Sequence, residues 1–125
     1  VIILCVDDSY SRYGRFSRLA ADQGMIAVVG CGRNFIEFYL DNVRDQIVGI
    51  CLDHDMPGLN GEEVAREYMS AFNIPVVITS MNLDGAQRIH QVLTEAGVLS
   101  VRMRPLSSDA GWEERALSWF DRRTV

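Results

Sequence analysis

Two apolar runs in this sequence end abruptly in acids. Val1–Val6 runs into Asp7-Asp8, and Gly49-Ile50-Cys51-Leu52 runs into Asp53-His54-Asp55, followed by a Pro-Gly turn at 57–58. Each reads as a buried strand that delivers carboxylates to the rim of a sheet. Two carboxylates about 4 Å apart repel by about 4 kcal/mol at an effective dielectric near 20. Several on one rim would consume much of a domain's net stability of about 5–15 kcal/mol. A cation, bound protons or arginine must therefore neutralise them. An all-oxygen set of few ligands suits a hard, strongly hydrated ion such as Mg²⁺, whose remaining water positions can accept phosphoryl oxygens. Ser80 adds a hydroxyl donor and Arg104 a planar fork for phosphate. For an isolated acidic pair, a solvated loop without an ion is the better reading. Acids at two strand ends, with Ser80 and Arg104 at two others, favour the ion. His54 stays open between proton donor, metal ligand, phosphate contact and a side chain that points out of the loop.

Strict alternation of strand and helix positions these groups. Strands are expected at Val1–Val6, Ile26–Val29, Ile47–Asp53, Ile74–Thr79 and Val98–Met103. Helices are expected at Ser11–Gln23, Asn34–Asn42, Gly61–Phe72, Asp84–Ala96 and Ser108–Asp121. The inward stripes include Tyr13, Phe16 and Ala20; Phe35, Phe38 and Tyr39 or Leu40; Ala86, Ile89, Leu93 and Ala96; and Trp112, Ala116, Trp119 and Phe120. Short strands buried on both faces and joined by helices imply a doubly wound parallel sheet with right-handed crossovers. Ligands of such sheets sit outside the carboxyl ends of the strands. Those ends carry Asp7-Asp8, Asp53-His54-Asp55, Ser80-Met81-Asn82 and Arg104-Pro105. Arg12, Arg15 and Arg18 read as the solvated edge of the first helix, with a docking surface as the alternative. His90 reads as a surface residue. Gly30-Cys31-Gly32 lacks the third glycine of a dinucleotide fingerprint and follows the second strand, not the first.

The 125 residues are expected to form one domain spanning 1–125. A net charge of −5 disfavours DNA or an anionic membrane as the main partner. No apolar stretch approaches the roughly 20 residues of a membrane span, and the first strand is too short for a signal peptide. Cys5, Cys31 and Cys51 have no Cys-x-x-Cys spacing and read as buried thiols of a reducing cytoplasm. All 12 basic residues are arginine and lysine is absent. The last helix closes the chain, so a separate protein is expected to read any change at the rim.

With the rim laid out, the chain resembles a receiver domain of bacterial response regulators, the CheY-like superfamily, a resemblance that implies a flavodoxin-like α/β fold with its five strands in order 2-1-3-4-5 and helices on both faces. Val6-Asp7-Asp8 is similar to the family's acidic pair. Leu52-Asp53, followed by Met56-Pro57 and Asn60-Gly61, is similar to the signature around its phosphorylated aspartate. Ile74-Pro75-Val76-Val77 leading to Ser80 resembles the strand that ends in Thr or Ser, and Arg104-Pro105 falls where the family has Lys-Pro. The resemblance implies that Asp53 is the phosphoacceptor. It implies that Asp7, Asp8, Asp53 and the backbone carbonyl of Asp55 hold Mg²⁺, that Ser80 bonds a phosphoryl oxygen, and that the Arg104–Pro105 bond is cis. Its implied partners are a histidine kinase or small phosphodonor and a downstream protein.

The chain also departs from that pattern. No lysine is present to pair with a phosphoryl group, and Arg104 is the replacement considered. Val101 stands where many receivers carry an aromatic switch residue. His54-Asp55 and Ser80-x-Asn82, the latter followed by Gly85-Ala86, resemble a divergent receiver branch proposed to process cyclic phosphates. Three readings follow. One is phosphoacceptance at Asp53 in two-component-type signalling. A second is binding or processing of a cyclic phosphodiester by His54, Asp55, Asn82 and Arg104 with Mg²⁺. The third is an interaction scaffold that has lost phosphotransfer.

Overall fold

The computed structural model describes residues 1–105 and 110–124. Five parallel strands, β1 (Ile2–Val6), β2 (Ile26–Gly30), β3 (Ile47–Leu52), β4 (Val76–Ile78) and β5 (Ser100–Arg102), form one sheet in the order β2-β1-β3-β4-β5. The helices are α1 (Gly14–Asp22), α2 (Arg33–Val43), α3 (Gly61–Glu67), α4 (Leu83–Glu95) and α5 (Trp112–Thr124). The parallel architecture agrees with the expectation from the alternating pattern, and the strand order with the one the resemblance implies.

The side-chain alternation of β1 and β3 divides the core in two. Leu4, Val6, Ile50 and Leu52 pack with Ile36 and Leu40 of α2, Val64 and Ala65 of α3, and Ile89 and Leu93 of α4. Ile3, Cys5 and Cys51 pack on the other face with Tyr13, Phe16 and Ala20, and with Trp112, Ala116, Leu117 and Phe120 of α5. Phe16 and Trp112 stack with centroids 5.5 Å apart and planes within 3°. Each large side chain buried here stabilises the fold by about 1.5–3 kcal/mol. Cys5 and Cys51 stand opposite one another on the paired strands, and both are buried free thiols. The β1–β3 register is offset at its start: Ile2 pairs Ile47 whereas Ile3 pairs Gly49.

Several boundaries differ from the sequence reading. The first helix opens as a 3₁₀ segment, Tyr10–Tyr13, because the Asp7 carboxylate captures the Ser9 N–H and turns the chain before α1 begins. α3 ends at Glu67 and hands over to a 3₁₀ turn, Met69–Ala71. β5 is short because it is an edge strand. Phe38 is 58% exposed because Ile36 and Leu40 carry the inward stripe of α2, and Ala96 is exposed at the C-cap of α4. The Arg104–Pro105 bond is trans, contrary to the cis bond that the resemblance implies. The expected start of the last helix at Ser108 lies outside the described residues.

Candidate functional site: an acidic rim with a resident arginine

Parity along the strands sets the site. Asp7 lies two residues beyond Cys5 and Asp53 two beyond Cys51, so both carboxylates leave the sheet on the α1/α5 side. One oxygen each from Asp7, Asp8 and Asp53 lies within 4.8 Å of the others. Asp7 is fully buried, Asp53 is 5% exposed, and Asp8 is open to solvent.

Asp7 is saturated with donors. Its Oδ1 accepts the Ser9 N–H at 3.0 Å, and its Oδ2 accepts Arg12 Nη1 at 2.8 Å and the Tyr13 hydroxyl at 2.9 Å. Burial pushes the Tyr13 phenol well above its usual range, which keeps the donating proton in place. With that proton committed to Asp7, the Thr79 hydroxyl, 2.9 Å away, donates to the Tyr13 oxygen. Thr79, at the end of β4, is thereby tied to the end of β1.

Asp53 is less well served. Arg12 Nη1 stands 3.7 Å from its Oδ1, beyond hydrogen-bond length. Its carboxyl is pushed up to about 6, first by burial and then by the neighbouring Asp7 charge, against the opposing pull of the His54 N–H and Arg12. Glycine fixes the backbone beneath it. The Gly61 N–H donates to the His54 carbonyl at 2.9 Å, and a Cβ on Gly61 would lie 2.1 Å from the Asp53 carbonyl oxygen. Asn60 and Glu63 close a reciprocal capping box that starts α3 there.

His54 and Asp55 turn away from the three-carboxylate cluster. His54 is 8% exposed, and its ring lies where a side chain on Gly85 would be: a Cβ there would meet its Cγ at 2.4 Å. Its Nδ1 is 2.8 Å from Asp55 Oδ1, which also accepts Asn82 Nδ2 at 3.2 Å. The bond to His54, then that to Asn82, holds the exposed Asp55 carboxyl below the usual range. Asn82 Oδ1 accepts the Gly85 N–H at 3.0 Å and so caps α4. Ser80, 3% exposed, accepts the Asn82 N–H at 3.1 Å. Arg104 follows β5 and is exposed.

The rim therefore gathers Asp7, Asp8 and Asp53 as one group, and His54, Asp55, Ser80 and Asn82 as a second, hydrogen-bonded group on the β3–α3 and β4–α4 loops. Sequence reasoning missed Arg12, Tyr13 and Thr79. For Arg12 a signal existed: a rim of acids in a chain without lysine needs an arginine, and Arg12 is five residues from Asp7. Tyr13 was assigned to the core by its spacing, which gives no hint of its hydroxyl contact.

A five-stranded parallel sheet in order 2-1-3-4-5, with acids at the ends of its first and third strands, has the receiver fold of response regulators. The response regulator domain of Thermotoga maritima CheB superimposes with a TM-score of 0.70 at 20% identity, over 98% of this chain and 94% of that one. The CheY-like receiver domain of Methanospirillum hungatei JF-1 gives 0.72 at 14% identity, over 98% and 95%. The BeF₃-activated N-terminal receiver domain of Klebsiella pneumoniae RstA gives 0.69 at 19%, over 96% and 98%. Among curated proteins, the protein-glutamate methylesterase/protein-glutamine glutaminase of Bacillus licheniformis is 30% identical over 109 residues, and that of Bacillus subtilis 26% over 108. Each alignment takes in 85% of this chain, which spans about 30% of those relatives' length. No family model matches the chain.

Proposed function

We propose that the chain, as a single receiver-like domain, accepts a phosphoryl group on Asp53 in two-component-type signal transduction. The observation that carries this reading is the cluster of Asp7, Asp8 and Asp53 with ligand oxygens within 4.8 Å of one another. The donor set fits magnesium: it is all oxygen, close enough to share one ion, and open to solvent through Asp8. Asp7, Asp8, Asp53 and the Asp55 backbone carbonyl would hold Mg²⁺, which supplies positive charge against the phosphoryl oxygens. An ionised Asp53 oxygen attacks phosphorus, and the bond from phosphorus to the donor breaks with its electron pair leaving on the donor. An acyl phosphate results. Ser80 sits at the adjoining strand end as a hydroxyl donor to a phosphoryl oxygen. The phosphodonor is a histidine kinase or a small phosphorylated compound, and a downstream protein reads the modified rim. Free thiols at Cys5 and Cys51 suit a reducing cytoplasm, and no helix among the described residues is long and apolar enough to cross a membrane.

The test is intact-mass measurement after incubation with acetyl phosphate and Mg²⁺. One phosphoryl adduct that disappears in Asp53→Asn supports the reading. Absence of an adduct with acetyl phosphate, carbamoyl phosphate and a phosphorylated histidine kinase overturns it. One observation favours a second reading, processing of a cyclic phosphodiester: Asp55 orients the His54 imidazole as a carboxylate orients a general base. Turnover of a 2′,3′-cyclic nucleotide that survives Asp53→Asn and fails in His54→Ala would select it. No Mg²⁺ response, no adduct and no turnover would leave the interaction scaffold.

A further inference from the structure

The rim holds a cation of its own. Arg12 lies in the 3₁₀ segment immediately after the Asp7 turn, not on the solvated flank where helical spacing would put it. Its side chain is 20% exposed, whereas Arg15, one turn on, is 48% exposed and pairs with Glu113 and Glu114. The bond to Asp7 and the 3.7 Å approach to Asp53 both run through Nη1. Among the described residues no other Arg12 nitrogen is engaged, so the remaining donors of a guanidinium that stands 3.7 Å from Asp53 are uncommitted. A phosphoryl group there would add about one further negative charge and three strong acceptor oxygens, next to a planar donor whose geometry matches them.

We propose that Arg12 is the phosphoryl-binding cation of this rim, pairing with Asp7 beside an unmodified Asp53 and turning its fork onto the phosphoryl oxygens once Asp53 carries them. The proposal rests on the phosphoacceptor reading of Asp53 and names the residue that does the work of the missing lysine. It has a second consequence. Arg12 and a metal ion draw on the same two carboxylates, so each weakens the other's hold on Asp7. Removing the guanidinium should therefore tighten magnesium binding while loosening phosphoryl binding, a pair of opposite effects that a merely structural arginine would not produce.

The experiment compares wild type, Arg12→Ala, Arg12→Gln, Arg12→Lys and Arg15→Ala, each first checked for a cooperative thermal melt. Mg²⁺ is titrated by tryptophan fluorescence, since the Trp112 ring lies 5.9 Å from that of Tyr13, the neighbour of Arg12. Beryllofluoride, an unreactive phosphoryl mimic, is titrated at saturating Mg²⁺, and adduct formation from acetyl phosphate is followed by intact mass. In Arg12→Ala and Arg12→Gln, Mg²⁺ affinity should rise by about threefold or more, and beryllofluoride affinity and adduct rate should fall by about tenfold. Arg12→Lys should recover part of the loss, and Arg15→Ala should match wild type. Wild-type beryllofluoride affinity and adduct rate in both neutral Arg12 variants would overturn the proposal and leave the phosphoacceptor reading standing. Loss in Arg104→Ala with Arg12→Ala unaffected would do the same and assign the role to Arg104. No adduct and no beryllofluoride response in the wild type would remove both together.

Discussion

Replacing Asp53 by asparagine should stabilise the metal-free protein. The ionised carboxylate sits 5% exposed beside Asp7, and its folded-state value is pushed up from 3.8 to about 6. A carboxyl raised on folding binds more protons in the native state than in the unfolded chain. Its contribution is therefore intact below the unfolded value and lost as pH climbs through the folded one. A displacement from 3.8 to about 6 corresponds to about 3 kcal/mol at neutral pH, at about 1.36 kcal/mol per pH unit. Asparagine removes that cost, from which the opposing pull of Arg12 is already subtracted, and allowing for imperfect packing of the amide a net gain of about 1–3 kcal/mol is expected. For a domain of this size that raises the melting temperature by about 3–10 °C. The assay is thermal or urea unfolding in EDTA, for both proteins, at intervals from pH 4 to pH 8. The gain should be near zero at pH 4, grow through pH 6 and level off above pH 7. With Mg²⁺ present it should shrink or reverse, because the ion stabilises the native aspartate form. Equal stabilities at pH 7 in EDTA, or a difference that does not vary between pH 4 and pH 7, would refute the electrostatic reasoning.

Gly61→Ala should be the most damaging of the remaining substitutions. Its Cβ would fall 2.1 Å from the Asp53 carbonyl oxygen, and a backbone atom cannot swing aside, so a loss of about 2–4 kcal/mol in urea unfolding is expected together with weaker Mg²⁺ binding. Tyr13→Phe should cost about 1–2 kcal/mol, because it strips Asp7 of one donor and leaves the buried Thr79 hydroxyl without that partner. Asn82→Ala should cost about 1 kcal/mol through loss of the α4 cap. It should also shift the His54 ring resonances in NMR spectra, since Asp55 loses a donor beside that ring.

The fold class was legible because its strands are apolar on both faces and each ends in a polar group or a glycine turn, so alternation and a parallel sheet followed from the pattern, whereas the strand order came from the family resemblance. The placement of Asp7 and Asp53 was legible for the same reason: parity within two buried strands puts their side chains on one side. Arg12 was not, because periodicity describes where a helix faces, and Arg12 precedes the helix in a turn whose shape depends on the Asp7–Ser9 hydrogen bond. The orientation of His54 was not either. It is decided by the absence of a side chain at Gly85, 31 positions along the chain, and a distant vacancy leaves no mark on local pattern. Phe38 was assigned inward because a stripe of three aromatics offers two helical phases, and Ile36 with Leu40 took the buried one.

The offset where β1 meets β3 reaches further than its position suggests. Val48 has no counterpart on the neighbouring strand, since Ile2 stands against Ile47 and Ile3 against Gly49. Were Val48 instead paired with Ile3, Asp7 would come level with Leu52, and the two aspartates would point to opposite sides of the sheet. The spacing of the acids is thus calibrated at the far end of the sheet, by one valine that touches none of them. Transplanting the rim into another scaffold would require carrying that miscount along, whereas deleting Val48 would let Gly49 follow Ile47 as Ile3 follows Ile2 and leave the two aspartates level.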